Sequence, residues 1–221
     1  MRSAVDWAEI FEAYTPLCIR YAANEMVSQR GSYVAGIHLV VRGAISERRP
    51  HDGSSTAAVL LGPGDFVGLE SLEDHSESLA RAQTRAVTEV ELLFLETHRF
   101  RAALCDDSAR QMEMIRYLAS RALRTQEERS WACGEGKQRV ARLLLQLSQM
   151  CDCSVVEGDA EWLRCPAEIS IRTLCDLAGV SARGWRQTCR TLEGVRLGAE
   201  GVEFHQARLA HCYNVSSMID R

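Results

Sequence analysis

What this sequence lacks narrows its function before anything it contains. No apolar stretch in the 221 residues approaches the ~20 needed to cross a bilayer as a helix, so no membrane partner is expected. The opening MRSAVDWAEIFEAY carries Asp6, Glu9 and Glu12 where an export signal would keep its apolar centre, and a cytoplasmic location is expected. There is no G-x-S-x-G elbow, no phosphate loop, no H-E-x-x-H pair and no pair of acids on an evident catalytic scaffold. A hydrolase or thiol-dependent enzyme is therefore the weaker class of reading, and no catalytic residue is assigned. Excess positive charge is missing as well. With a net charge of −4 and a pI near 5.9, the chain is not built to coat polyanions indiscriminately.

What is present is an ordinary globular composition, 46% hydrophobic and 25% charged, with length enough for one large or two modest domains. The nine cysteines are an odd number in a chain too long to be a disulfide-framed mini-protein. Only Cys18 lies before residue 100. Cys151 and Cys153, followed by Cys165, place three thiols within fifteen residues. Such a set could hold zinc or copper(I), or serve as a redox switch, although the second C-x-C pair of a firm zinc motif is missing.

The pattern along the chain changes twice. Trp7, Ile10, Phe11 and Tyr14 have helical spacing, giving a helical lead-in over residues 1–20. From about 21 to 95 come short strands separated by turns. HLVVRGAI (38–45) is a strand interrupted by Gly43, PHDGSS (50–55) is a hairpin turn, and TAAVLL (56–61) is the returning strand. GPGDFVG (62–68) is dense in turn residues, and TEVELLFLE (88–96) is another strand. Short strands punctuated by glycine and proline imply a β-sandwich or jelly roll over residues 1–107. Helical spacing returns with HRFRAAL (98–104) and then a long helix from Ser108 to about Trp131, capped by Asp107 or Ser108. Met112, Ile115, Ala119 and Ala122 form a narrow apolar stripe on it, flanked by Leu118 and Leu123, which suits a two-helix seam. The competing expectation is a helix packed only on its own sandwich. Residues 108–134 are read as dimerisation helix and hinge, and 135–221 as a separate C-terminal domain that opens with the amphipathic RVARLLLQLSQM (139–150).

The richest segment is 169–193, ISIRTLCDLAGVSARGWRQTCRTLE, which reads as a helix-turn-helix. Ile171, Leu174, Cys175 and Ala178 fall on one face of a first helix. Gly179 supplies the positive φ of a sharp turn, and Val180 is a buried plug. Ser181 caps a second helix whose Trp185, Cys189 and Leu192 face inward. Ala182, Arg183, Arg186, Gln187 and Arg190 are left on its outer face. Arginine pairs with guanine and glutamine with adenine in the major groove, so this face fits double-stranded DNA. Residues 181–196 hold four arginines against Glu193 alone, a basic spot on an acidic chain. GVRLGAEGVEF (194–204) looks like a β-hairpin wing, and HQARLAHCY a last short helix. A helix-turn-helix serving protein interaction is the alternative from another class.

A β-rich domain, a long helix and a winged helix in this order resemble the CRP/FNR superfamily of bacterial transcription regulators. The resemblance rests on VVRGAI (40–45), GPGDFVG (62–68), ARAQT (80–84), RVARLLLQL (139–147) and the segment 169–193, and it covers almost the whole chain. It implies an α+β protein: a cyclic-nucleotide-binding-like jelly-roll sensor, a dimerisation helix and a winged helix-turn-helix. It also implies a homodimer on a palindromic promoter site, with RNA polymerase as a further partner. The positions that match the family's effector pocket are Gly68, Leu69, Glu70, Ser76 and Arg81. Members that bind cyclic nucleotides carry an arginine–serine pair for the phosphate, and here Ser76 and Glu77 stand in its place. Glu70, Glu73, Asp74 and Glu77 crowd this stretch with no lysine or arginine before Ser78. A cyclic phosphate would meet repulsion there, so cyclic AMP is not the expected effector.

The shortened segment looks more like the branch that senses gas or redox state. Cys18 alone cannot supply that branch's N-terminal iron–sulfur cluster. Haem remains open among six histidines, although His38, His51 and His75 each read as ordinary surface or packing residues. A thiol-bound metal at Cys151, Cys153 and Cys165 is the other cofactor expectation. On the DNA face, Thr173 and Ser181 are expected at phosphates, Arg183, Arg186 and Gln187 at base edges, and Arg190 at the backbone. Arg183 stands where the family usually has glutamate and Gln187 where it has arginine, so the half-site should differ from the family's familiar one.

Overall fold

The computed structural model describes residues 6–49, 58–73, 78–132, 134–198 and 201–213. The expected turn at 50–55, together with His51, His75, Ser76 and Cys133, lies outside them. The chain divides into two compact units, one ending at Glu128 and the other beginning at Arg129. The segment expected as a separate dimerisation helix and hinge, 108–134, is thus divided between them.

The first unit starts with α1 (Trp7–Ala13), whose Asp6 cap accepts the N–H of Ala8 at 2.9 Å. The lead-in stops there, because Thr15 takes φ 55° and Pro16 follows. The strands are β1 (Leu17–Tyr21), β2 (Met26–Ser28), β3 (Gly36–Arg42), β4 (Ile45–Arg48), β5 (Ala58–Leu61), β6 (Phe66–Val67), β7 (Gln83–Ala86) and β8 (Val90–Glu96). They form two four-stranded sheets, β1-β8-β3-β6 and β2-β7-β4-β5, in a jelly-roll arrangement. β1 is a correction to the helical expectation for residues 17–20. It pairs antiparallel with β8, Leu17 opposite Phe94 and Tyr21 opposite Val90.

Side chains alternate across the first sheet as its pleat demands. Ile37, Leu39 and Leu95 point outward, onto Trp7 and Phe11 of α1 and onto Phe100 of α2 (Thr97–Cys105). Phe66 joins this cluster, with ring centroids 5.3 Å from Trp7 and 5.8 Å from Phe100. Val40, Val90 and Leu92 point the other way and pack with Ile45, Leu61 and Ala86 of the second sheet. The long helix α3 (Ser108–Ala132) begins where Asp107 accepts the N–H of Ala109 at 2.8 Å. Met114 and Tyr117 face the aromatic cluster. Arg124 reaches Asp65 at 2.6 Å and Arg121 reaches Glu47 at 2.8 Å, stapling the helix to its own sheets.

The second unit is built on α4 (Gly136–Met150), which opens with a reciprocal capping box between Glu135 and Gln138. Its Val140, Ala141, Leu144 and Leu147 are fully buried. It packs against α5 (Ile171–Ala178), α6 (Ala182–Thr191) and α7 (Gln206–Tyr213). A sheet in the order β9-β10-β12-β11 completes the unit, from β9 (Ser154–Val156), β10 (Asp159–Arg164), β11 (Val195–Gly198) and β12 (Gly201–Phe204). The sequence suggests one short strand between α4 and α5, where the structure has the β9–β10 hairpin. β11 and β12 form the expected wing. Among the described residues no helix is long and apolar enough to cross a membrane.

Candidate nucleic-acid interface and ligand cavity

The helix-turn-helix geometry follows from a few residues. Ser170 caps α5, accepting the Thr173 N–H at 3.1 Å, and its hydroxyl lies 2.9 Å from that of Thr173. Gly179 ends α5 in the left-handed conformation, φ 63° and ψ 35°, which an L side chain enters only at a cost. Arg139 of α4 donates to the Gly179 carbonyl at 3.2 Å and fixes the turn. Ser181 then caps α6, its Oγ accepting the Gly184 N–H at 3.0 Å. Trp185, Thr188 and Cys189 are buried beneath, with Trp185 at 0% exposure.

Two residues depart from the inward set read from the sequence. Ile171 is 46% exposed, because it opens α5 beyond the reach of the core, and Val180 is only half-buried. A Cβ at Gly184 would stand 3.2 Å from the Ser181 hydroxyl, so the glycine makes room for the cap.

Ser181, Ala182, Arg183, Arg186, Gln187 and Arg190 are all exposed, with Thr173 half-buried at the start of α5. Arg183, Arg186 and Arg190 make no salt bridge among the described residues. Arg196, counted with them in the sequence, is held differently. It donates to the Glu203 carboxylate at 2.6 Å, reaches Asp159 at 3.4 Å and lies 4.1 Å over the Trp162 ring. Arg164 takes the other Glu203 oxygen at 2.8 Å. Hydrogen bonds from Arg164 and then Arg196 hold the Glu203 carboxyl below the usual range. Arg196 therefore braces the wing.

The first unit contains a cavity of about 510 Å³ between its sheets, on the inner side of β3 and β8. Of the effector-pocket residues read from the sequence, Gly68 and Glu70 line it. Gly68, at φ 85°, sits so close to the Gly36 carbonyl that a Cβ would approach it to 2.5 Å. Leu69 is a correction: it packs on the aromatic cluster beneath the helices. So is Arg81, which turns outward to pair with Glu73 at 2.6 Å while Ala80 and Ala82 on either side line the cavity. No lysine or arginine is among the described residues lining the cavity.

Two lining residues escaped the sequence reading. His38 looked like an ordinary strand residue, yet its buried neighbours Ile37 and Leu39 put it on the opposite, cavity face. Its ring stacks 4.8 Å from Phe94, and its buried Nδ1 has no hydrogen-bond partner. Burial pushes the imidazole pKa down to about 4. Glu47 is buried at 6% exposure and shared between Arg49 and Arg121. An acid shortly after the apolar Ala44 and Ile45 was the available signal.

The metal expectation at Cys151, Cys153 and Cys165 is corrected. Among the described residues no three His, Cys, Asp or Glu side chains gather as a ligand set. Burial, then the Asp152 charge, pushes the Cys153 thiol up to about 11, and burial raises Cys165 further. Cys175 and Cys189 are buried as small apolar residues, as expected. On α3, Met112 and Ile115 are 50% and 57% exposed, and Leu118, Ala119, Ala122 and Leu123 are exposed alongside them.

Residues 18–107 match the family model described as the cyclic nucleotide-binding domain. The chain is 27% identical over 147 residues to the CRP-like cAMP-activated global transcriptional regulator of Mycobacterium tuberculosis, an alignment covering 66% of this chain. It spans 63% of that relative's length. The fold is similar to FixK2 from Bradyrhizobium japonicum, with a TM-score of 0.67 at 18% identity over 89% of this chain and 96% of the other. It is equally similar to the c-di-GMP responsive regulator CLP of Xanthomonas campestris, with a TM-score of 0.67 at 22% identity, covering 90% and 97%.

Proposed function

The chain belongs to the CRP/FNR superfamily, and on that premise we propose that it is a homodimeric, sequence-specific DNA-binding transcription regulator whose β unit receives a signal other than cyclic AMP. The observation that carries the reading is the outer face of α6. Three arginines and Gln187 stand exposed there, without salt bridges among the described residues, on a helix held by a glycine turn, a serine cap and a buried tryptophan. In this reading Arg183, Arg186 and Gln187 meet base edges, flanked by Ala182. Arg190 and the hydroxyls of Ser181 and Thr173 meet phosphates. The exposed stripe of Met112, Ile115, Ala119 and Ala122 supports pairing of α3 with a second copy, placing two recognition helices on a palindromic promoter site where RNA polymerase is the further partner. The absence of lysine and arginine from the described lining of the cavity supports a signal other than cyclic AMP, since a cyclic phosphate would find no guanidinium among those residues.

Selection from random duplexes, followed by titration of the winning and scrambled sequences over a salt series, tests the reading. The regulator prefers the selected duplex and loses affinity steeply as salt rises. Equal affinity for both duplexes overturns it.

A further inference from the structure

The ligand class follows from the walls of the cavity in the first unit. Its volume, about 510 Å³, is that of sites that enclose drug-sized molecules. Ile19, Val27, Val67, Ala82 and Phe94 supply apolar wall. Leu17 and Tyr33 also line it while 63% and 70% exposed, leaving apolar surface at a rim that water would otherwise wet. Of its two carboxylates, Glu47 is neutralised by Arg121 and Arg49, and Glu70 accepts the Arg81 backbone N–H at 3.4 Å. An anion therefore meets no cation in the described lining, and a cation finds Glu47 held by two arginines and only Glu70, engaged by a backbone N–H, to pair with. Among the described lining residues, the buried polar atom left without a hydrogen-bond partner is Nδ1 of the His38 imidazole. The ring is neutral in its buried setting, so it offers one donor and one acceptor.

We propose that this cavity binds an uncharged, predominantly apolar organic molecule bearing a hydroxyl, amine N–H or carbonyl that hydrogen-bonds to His38. The proposal rests on the reading of the β unit as the receiver of a signal and supplies the chemistry of that signal. Such a ligand displaces poorly held water from the apolar walls and pairs an imidazole that is otherwise unmet.

The test uses the purified full chain without DNA. Uncharged N-phenylnaphthylamine, its sulfonated relative anilinonaphthalene sulfonate, and a protonated naphthylmethylamine are titrated by fluorescence or calorimetry. The uncharged probe is expected to saturate at one per chain, with each charged probe at least about tenfold weaker. Ala82→Trp, which fills the cavity, is expected to abolish binding while the thermal melt of the chain persists. His38→Leu is expected to keep hydrocarbon binding but to reduce the preference for naphthol over naphthalene about fivefold, the loss of one neutral hydrogen bond. A charged probe that binds as tightly as the uncharged one overturns the proposal. So does an undiminished naphthol preference in His38→Leu, or a haem Soret band that requires His38. If Ala82→Trp does not fold, the His38→Leu preference decides. Because no DNA is present, failure here leaves the regulator reading intact, and failure to find a DNA site leaves the cavity chemistry standing.

Discussion

At the outer face of α6, three arginines stand exposed, with no salt bridge among the described residues. In the first unit the guanidiniums of Arg81, Arg121 and Arg124 are each held against a carboxylate, and the cavity between the sheets has no cation in its described lining. The wing repeats the second pattern, with Arg164 and Arg196 both spent on Glu203. The same residue type thus does two jobs, and pairing distinguishes them. A paired arginine fixes elements to one another, whereas an unpaired one on a rigid helix is available to a polyanion. Counting arginines along 181–196 overstates the binding face by one, because Arg196 belongs to the wing.

The sharpest way to break this comparison is to collapse one region and see whether the other follows. Trp185→Ala removes a side chain buried at 0% exposure and should destabilise the second unit by about 3–5 kcal/mol in chemical denaturation. Uncharged-probe binding in the first unit should be unchanged, and a joint loss would show that the two sites are not independent. Next in size is Arg121→Ala, which leaves Glu47 to Arg49 alone in a buried setting. It should cost about 3 kcal/mol, read as an earlier unfolding transition of the first unit. A cost below about 0.5 kcal/mol would place that arginine with the merely solvated ones.

A smaller effect separates base reading from phosphate contact. Arg183→Ala should cost about 1–3 kcal/mol on a selected duplex and much less on a scrambled one. Equal losses on both would reduce Arg183 to a backbone contact. The smallest effect lies in acid. Because its arginines hold the Glu203 pKa down in the folded state, its contribution is complete above the ordinary glutamate range and is lost as pH falls through the depressed value. Glu203→Gln should therefore flatten the acid limb of the second unit's stability profile, measured by melting at a series of pH values. An unchanged limb would mean that Glu203 does not couple folding to protons.

The helix-turn-helix was legible because its determinants are local. Gly179, Ser181 and Trp185 each act within a few residues of where they stand, and helical period reports such arrangements directly. The long helix and the wing were legible for the same reason. The cavity was not. It is assembled from β1, β2, β3, β4, β6, β7 and β8, many of whose partners lie far apart in sequence, and no local pattern says which strand faces which. Likewise β1 was hidden in a helical lead-in, since its antiparallel partner β8 is some seventy residues away. His38 carried a faint signal, a polar residue between two apolar ones in a strand. Arg81 was ambiguous until its pairing with Glu73 fixed its direction.

Glu47 deserves a last consequence. One side of it walls the cavity, and its carboxylate is also half of the staple to Arg121 on α3. A guest that presses on Glu47 is therefore expected to change the amide-exchange lifetimes of the two helical turns from Tyr117 to Arg124, whichever way it moves the carboxylate. A tightened staple slows exchange there and a loosened one quickens it. Those turns carry Ala119 and Ala122 on their exposed side, so occupancy of the cavity would reach the stiffness of the α3 surface proposed to meet a second copy.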